Sequence, residues 1–187
     1  MRIELWQLAI FAALTACLVY VSRASLREPR SHGFYRFFSW ECILGLFLLN
    51  AGAWLRDPFS WNQLIAWTLL IICVIPLVAG ARSLRARGKP TQAREAEPGL
   101  LAFEKTTALV TTGIYRYIRH PLYSSLLFLT WGVFFKLPGW PGVVLAAASS
   151  LMLFATAKAD EAECTRFFGP PYPDYMKKTK RFVPFLF

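Results

Sequence analysis

The chain has 187 residues, of which 56% are hydrophobic and 17% charged, against about 25% charged residues in an average soluble domain. That balance excludes a water-soluble globule, which at this length must cover its surface with polar groups. The formal charge of +10, from 21 Lys and Arg against 11 Asp and Glu, fits a nucleic-acid partner, an anionic bilayer surface or membrane topology until the charges are placed.

A bilayer core about 30 Å thick asks for about 20 apolar residues per helix. Leu5 to Val21 is the first such run. With only Arg2 before it and Val21-Ser22-Arg23-Ala24-Ser25 after it, the run makes a poor secretory signal and is read as a span. The second run extends approximately from Phe37 to Leu55. Glu41 falls in its first turn or so and is read as an acid that snorkels or is paired near the interface beside Arg36. The third run is Trp61 to Gly80, with Pro76 expected to kink it near its end. Asn50 and Gln63 are expected to hydrogen-bond between helices.

Segment 81–120 follows. It is long for a connection and contains Gly88, Pro90, Pro98 and Gly99, while the aromatic and aliphatic content of its second half argues for order. The fourth run, Leu122 to Phe135, has 14 residues, or about 21 Å of helix, short of a full crossing. Lys136-Leu137-Pro138-Gly139 separates it from the fifth, Trp140 to Ala157, and reads as a tight turn between antiparallel helices. The expected fold class is all-α: a polytopic membrane protein with five transmembrane helices, the last two forming a helical hairpin. Residues 1–80 would hold three N-terminal spans, and residues 81–187 the loop, the hairpin and the tail.

Counted by segment, 18 of the 21 basic residues fall in 22–38, 81–120 and 158–187, leaving Arg2, Arg56 and Lys136 on the other side. With five spans, the positive-inside rule puts the N-terminus outside and the C-terminus in the cytoplasm, with a plasma or inner membrane as the simplest location. The charge is then mainly a topology signal, and a nucleic-acid partner is not expected. Cys17, Cys42, Cys73 and Cys164 lie far apart, and the only histidines are His32 and His120. Neither a disulfide framework nor a metal centre is expected.

Two clusters stand out from this background. The first is Leu109-Val110-Thr111-Thr112-Gly113-Ile114-Tyr115-Arg116-Tyr117-Ile118-Arg119-His120-Pro121-Leu122-Tyr123. Pro121 suits the first position of a helix, which puts His120 at its cap. Free backbone N–H groups there, with Arg116 and Arg119 near, could hold an anion; a juxtamembrane basic belt with aromatic anchors is the alternative. The second cluster begins Asp160-Glu161-Ala162-Glu163, three carboxylates on an otherwise basic side. Either they form a solvated face paired with Lys158 and Arg166, or they form a cation site opposite the Arg/His cluster. In a hairpin, both clusters meet at its base.

Gly113-Ile-Tyr115-Arg-Tyr-Ile-Arg119-His120-Pro121-Leu-Tyr123, followed by Asp160-Glu161-x-x-Cys-x-x-x-Phe168-Gly169-x-x-Tyr172-x-x-Tyr175 and Arg181-Phe-Val-Pro184, resembles the isoprenylcysteine carboxyl methyltransferase family. The related phospholipid methyltransferases share much of this pattern. The likeness covers roughly Phe103 to Phe187; the first three runs match only in number and hydrophobicity. It implies an integral-membrane enzyme using S-adenosylmethionine, bound in a cytoplasmic C-terminal catalytic part around the hairpin. Thr107, Ala108, Leu109, Val110, Tyr115, His120, Pro121, Leu122 and Tyr123 would line the cofactor site. Family members carry a Glu-Glu pair where this chain has Asp160-Glu161, so either carboxylate could take the cofactor role. Arg119, His120 and Glu161 are expected to carry catalysis. Thr156 stands where the prenylcysteine enzymes have a substrate arginine.

The residues themselves are compatible with that cofactor. S-Adenosylmethionine needs a cationic or N–H-rich corner, a carboxylate corner and aromatic walls. The Arg119/His120 helix start, the acids Asp160, Glu161 and Glu163, and Tyr115, Tyr117, Tyr123 and Tyr172 would supply them. The partners expected are a lipophilic or lipid-anchored methyl acceptor, most simply an isoprenylcysteine carboxylate, and membrane lipids. The rivals are methylation of a lipid ethanolamine headgroup and a non-catalytic membrane scaffold that keeps the fold.

Overall fold

The computed structural model describes residues 5–88 and 105–184. Among them the regular structure is helical: α1 (Leu5–Leu26), α2 (His32–Leu49), a 3-10 turn (Ala51–Ala53), α3 (Trp61–Arg87), a second 3-10 turn (Gly113–Arg116), α4 (Pro121–Phe134), α5 (Trp140–Phe168) and α6 (Pro171–Lys178). Pro90, Pro98 and Gly99 of the long segment lie outside the described residues. The boundary expected at residue 80 falls inside α3, which continues to Arg87.

All five apolar runs become helices, with ends set by local chemistry. Ser31 caps α2, its hydroxyl accepting from the Phe34 amide at 3.1 Å. His120 is the N-cap of α4, with Pro121 at the first helical position, where its missing N–H costs nothing. α5 stops at Gly169, whose φ of +66° and ψ of −149° suit only glycine. Three helices, α1, α3 and α5, are long and apolar enough to cross a membrane, while α4 with 14 residues is apolar but shorter. The expectation of five spans is therefore supported for three. α2 starts earlier than its apolar run, at His32 directly after the Ser31 cap, and ends at Leu49 before Asn50; its added first turn buries His32 and Arg36.

The α4–α5 hairpin forms as expected, and α2 and α3 flank it: α3 packs along α4 and α2 along α5. Leu46, Val133, Phe134 and Ala146 form one core cluster; Tyr123, Leu153, Ala157 and Phe182 form another. Asn50 Nδ2 donates to Val133 O at 2.7 Å, and Gln63 Nε2 to Ala53 O at 2.8 Å and to Lys136 O at 3.1 Å, the expected polar ties between helices. Glu41 accepts from the Thr15 hydroxyl of α1 at 2.8 Å. Lys136, counted with Arg2 and Arg56 on the side opposite the other basic residues, is buried at the hairpin turn. Its ammonium donates to Gln63 Oε1 at 2.9 Å and sits 3.3 Å from the centre of the Trp67 ring, where ring and amide replace lost hydration.

α3 and α4 approach closely at Gly132. A Cβ there would lie 2.9 Å from the Leu70 side chain and 3.2 Å from its backbone N, the small-residue contact by which membrane helices pack. Gly132→Leu is expected to destabilise the protein by about 1–3 kcal/mol through overpacking. Thermal unfolding in detergent checks this against Gly52→Ala, a site with open space around it, which should stay within about 0.5 kcal/mol of the parent.

Candidate functional site

The site forms at the end of the bundle where α3 and α5 finish and α4 begins. Segment 105–110 is held on the C-terminus of α3, where Gly88 O accepts from Thr107 N at 3.0 Å and Ala108 N at 3.2 Å. The tail returns beside residues 117–120 through a single parallel bridge between Ile118 and Lys180. Arg119 N donates to Lys180 O at 2.8 Å, Lys180 N to Tyr117 O at 3.0 Å and His120 N to Arg181 O at 3.1 Å. The Tyr175 hydroxyl of α6 donates to Tyr115 O at 2.7 Å, which ties the last helix to the 3-10 turn.

These ties deliver the cations of both clusters onto the acids of α5. Glu161 is buried and receives four contacts: Arg119 Nε at 2.9 Å, Arg181 Nε at 3.0 Å, Arg181 Nη2 at 2.7 Å and His120 Nε2 at 3.3 Å. Arg119 Nη1 also donates to Met176 O at 3.1 Å and to Thr179 O. The other ring nitrogen of His120, Nδ1, lies 3.4 Å from Asp160 Oδ2. A carboxylate at each nitrogen requires a donor on both sides, as only imidazolium provides. Burial opposes charge on His120, yet hydrogen bonds to Asp160 and Glu161 outweigh it and raise its pKa. Burial likewise pushes Asp160 and Glu161 upward. The partners prevail: His120 holds Asp160, and His120 with Arg181 and Arg119 holds Glu161, well below the usual carboxylate range. Residues 158–168 extend α5 past its apolar run, Trp140 to Ala157, and these groups lie on that extension and at the start of α4.

The third acid has a separate partner. Glu163 accepts from the His32 amide at 2.9 Å and from His32 Nδ1. Both histidines of the chain thus bind carboxylates of one helix segment. Of the two alternatives for these acids, the solvated face paired with Lys158 and Arg166 gives way to pairs with His32, His120, Arg119 and Arg181, because α2 and the tail bring closer partners.

Beside this network is a pocket with a cavity volume of about 90 Å³ and an open mouth, below the range of about 300–1,000 Å³ usual for small-molecule sites, so a ligand of that size must widen it or extend into the mouth. Its polar corner is Arg119, His120 and Asp160; Tyr115, Tyr123, Phe168, Tyr172 and Tyr175 form aromatic walls, and Leu84, Leu109, Val110 and Leu122 an apolar side. The His120 ring stacks on Tyr123 at 5.3 Å between centroids, and Phe168 on Tyr172 at 6.2 Å.

Of the residues expected at a cofactor site, Leu109, Val110, Tyr115, His120, Pro121, Leu122, Tyr123 and Asp160 line this pocket. Thr107 and Ala108 are not in its lining, where Thr106 takes their place, and Glu161 stands behind the wall inside the ion cluster. Tyr117, expected in an aromatic wall, is about half exposed and outside the lining, and Tyr172 is in it. Leu84, Cys164, Phe168 and Tyr175 line the pocket without having been singled out as site residues. Arg181 was legible only as part of a motif, and nothing local marked it as a partner of Glu161.

Residues 99–169 match the family model described as phospholipid methyltransferase. No curated protein and no solved structure matches the chain. The match takes in the pocket's described walls from Thr106 to Phe168 and supports the broad class of membrane methyltransferases for this chain.

Proposed function

We propose that the protein is an integral-membrane methyltransferase that binds S-adenosylmethionine in the pocket between α3, α4, α5 and α6 and methylates a lipophilic acceptor. The observation that carries this reading is the lining of the pocket, which combines an imidazolium and a carboxylate with aromatic walls, the His120 ring stacking directly on Tyr123. A cofactor bearing a carboxylate, an ammonium and a sulfonium matches that donor set. S-Adenosylmethionine, when bound, supplies the activated methyl.

In this reading Asp160 holds the cofactor's ammonium, while His120 and Arg119 favour its carboxylate. Tyr115, Tyr123, Phe168 and Tyr172 favour the sulfonium, as aromatic faces favour other onium cations. Glu161 does not touch the cofactor; it keeps Arg119 and His120 in place. The protein contributes positioning and exclusion of water rather than proton removal, since Asp160, the carboxylate in the pocket wall, is a weak base next to His120. The expected topology belongs to the same proposal: α2 and α4 join α1, α3 and α5 in the membrane, and the site faces the cytoplasm.

A nearly apolar groove lined by Leu69, Ser124, Leu127, Phe128, Trp131, Phe135, Phe182 and Val183 runs along α3 and α4. It supports an acceptor carrying a hydrocarbon chain. The matched family model favours a phospholipid headgroup as that acceptor; the low basicity of Asp160, the carboxylate among the described lining residues, favours a carboxylate of isoprenylcysteine type. Purified protein in nanodiscs with methyl-labelled cofactor, offered each acceptor, tests both. Label released by mild base identifies an ester, and label retained identifies an N-methyl product. Failure of a well-folded sample to bind the cofactor by calorimetry would leave the non-catalytic scaffold as the reading.

A further inference from the structure

On the other side of Arg119 from the cofactor pocket is a second concavity, lined by Arg119, Met176, Lys177, Lys178, Thr179, Lys180 and Arg181. Five of its seven lining residues are cations and none is an acid. Three of the five cations have carboxylate partners outside the lining. Lys177 pairs with Asp174 at 2.8 Å, and Arg119 and Arg181 share Glu161. The carboxylates of Asp174 and Glu161 thus face five cations, which leaves the concavity with a local excess of three positive charges.

The two arginines remain able to donate. Arg119 bonds through Nε and Nη1, and Arg181 through Nε and Nη2, leaving Arg119 Nη2 and Arg181 Nη1 outside these bonds. Glu161 fixes both guanidinium groups, so their donors are held in place before a ligand arrives. Lys178 and Lys180 are exposed and flank them. Fixed planar donors between mobile ammonium groups suit a tetrahedral oxyanion. A solvated belt of basic residues explains exposed lysines; it does not explain a concavity whose floor is a pair of guanidinium groups held by a buried acid.

We propose that this basic concavity is a binding site for a phosphate-bearing anion, either the headgroup of an anionic phospholipid or free phosphate. The position of the site at the end of the apolar helices makes a lipid phosphate accessible to it, and the bonds to Glu161 need not break. The proposal does not depend on methyl transfer. It stands or falls on retention of the anion.

The test is native mass spectrometry of the full chain in neutral detergent, titrated with phosphatidylglycerol and, separately, with phosphatidylcholine. Phosphatidylglycerol should be retained more strongly. Lys178→Ala/Lys180→Ala should lower its affinity by roughly thirtyfold, at about 1 kcal/mol for each cation near an anionic surface, with an unchanged unfolding midpoint. Lys180→Glu, which likewise removes two units of positive charge, should lower it by a similar factor. Displacement by millimolar inorganic phosphate would identify the shared phosphate chemistry, and resistance to phosphate with loss in the variants would identify the lipid headgroup as the ligand. Equal retention of the two lipids, or equal retention of phosphatidylglycerol by the parent and both variants, would overturn the site.

Discussion

Replacing Glu161 by alanine is expected to cost about 3–5 kcal/mol of stability, the usual loss when one partner of a buried ion pair is removed. Glu161 is the acid against which Arg119, Arg181 and His120 are all placed, and the side chains of Glu161 and Arg119 are 7% and 9% exposed. Without the carboxylate, two guanidinium groups and an imidazolium are left together with too little solvent to screen them. Backbone bonds hold the tail on segment 117–120, and Arg181 ties it to α5 through Glu161, so the loss of that tie should appear first as early proteolysis near residues 176–184. Thermal unfolding in detergent, followed by limited proteolysis, measures both effects. A midpoint for Glu161→Ala within 1 °C of the parent would remove the cluster from the account.

The same cluster sets the pH window. Glu161 has its pKa lowered in the folded protein, so its contribution is present above the ordinary value near 4.5 and is lost as pH falls toward the lowered one. His120 has its pKa raised, so its contribution is complete below the ordinary 6.5 and is lost as pH rises through the raised value. Stability should therefore be greatest between about pH 4.5 and 6.5, as far as these groups decide it. His120→Gln should weaken the decline on the alkaline side, because one of the two carboxylate-paired histidines that lose a proton there is gone, while the His32–Glu163 pair remains.

Much of this arrangement is legible in the sequence, for identifiable reasons. Pro121 after His120 marks a helix start through the chemistry of one residue, and Pro138-Gly139 marks the hairpin turn in the same way. Both signals are local, and both hold. The true length of α5 is not legible from hydropathy, since residues 158–168 are polar. Helix there continues on backbone geometry, with the Thr165 hydroxyl donating to Glu161 O at 2.7 Å, and on partners from elsewhere in the chain. Those partners are distant in sequence: His32 reaches Glu163 across 131 positions, and Arg181 reaches Glu161 across 20 only because the tail pairs beside Ile118. Lys136 shows the converse: its charge counts toward one side of the membrane, and Trp54, Trp67 and the Gln63 amide are what enclose it. Composition assigns such residues to a side of the membrane; packing assigns their partners.

The division of labour between the adjacent acids leads to the second large effect. Asp160→Asn is expected to weaken cofactor binding by roughly tenfold to a hundredfold, the span of a lost hydrogen bond to a charged group at about 1.5–3 kcal/mol, while leaving most of the stability in place. Asp160 lines the pocket, and its carboxylate is 19% exposed. Its neighbour Glu161 is outside the lining and bonded on both oxygens. Amide for carboxylate at Asp160 keeps the shape of the wall and removes the charge available to an ammonium. At Glu161 the same exchange removes the anchor of three cations. Calorimetry with S-adenosylmethionine on both variants separates the roles: Asp160→Asn should lose affinity with a nearly unchanged unfolding midpoint, and Glu161→Gln should lose midpoint first. A reversed pattern, with affinity lost at Glu161→Gln in a fully stable protein and kept at Asp160→Asn, would assign the cofactor's ammonium to Glu161. The wall of the pocket would then have to reorganise on binding, because Glu161 could reach the ligand only by releasing Arg181 or His120.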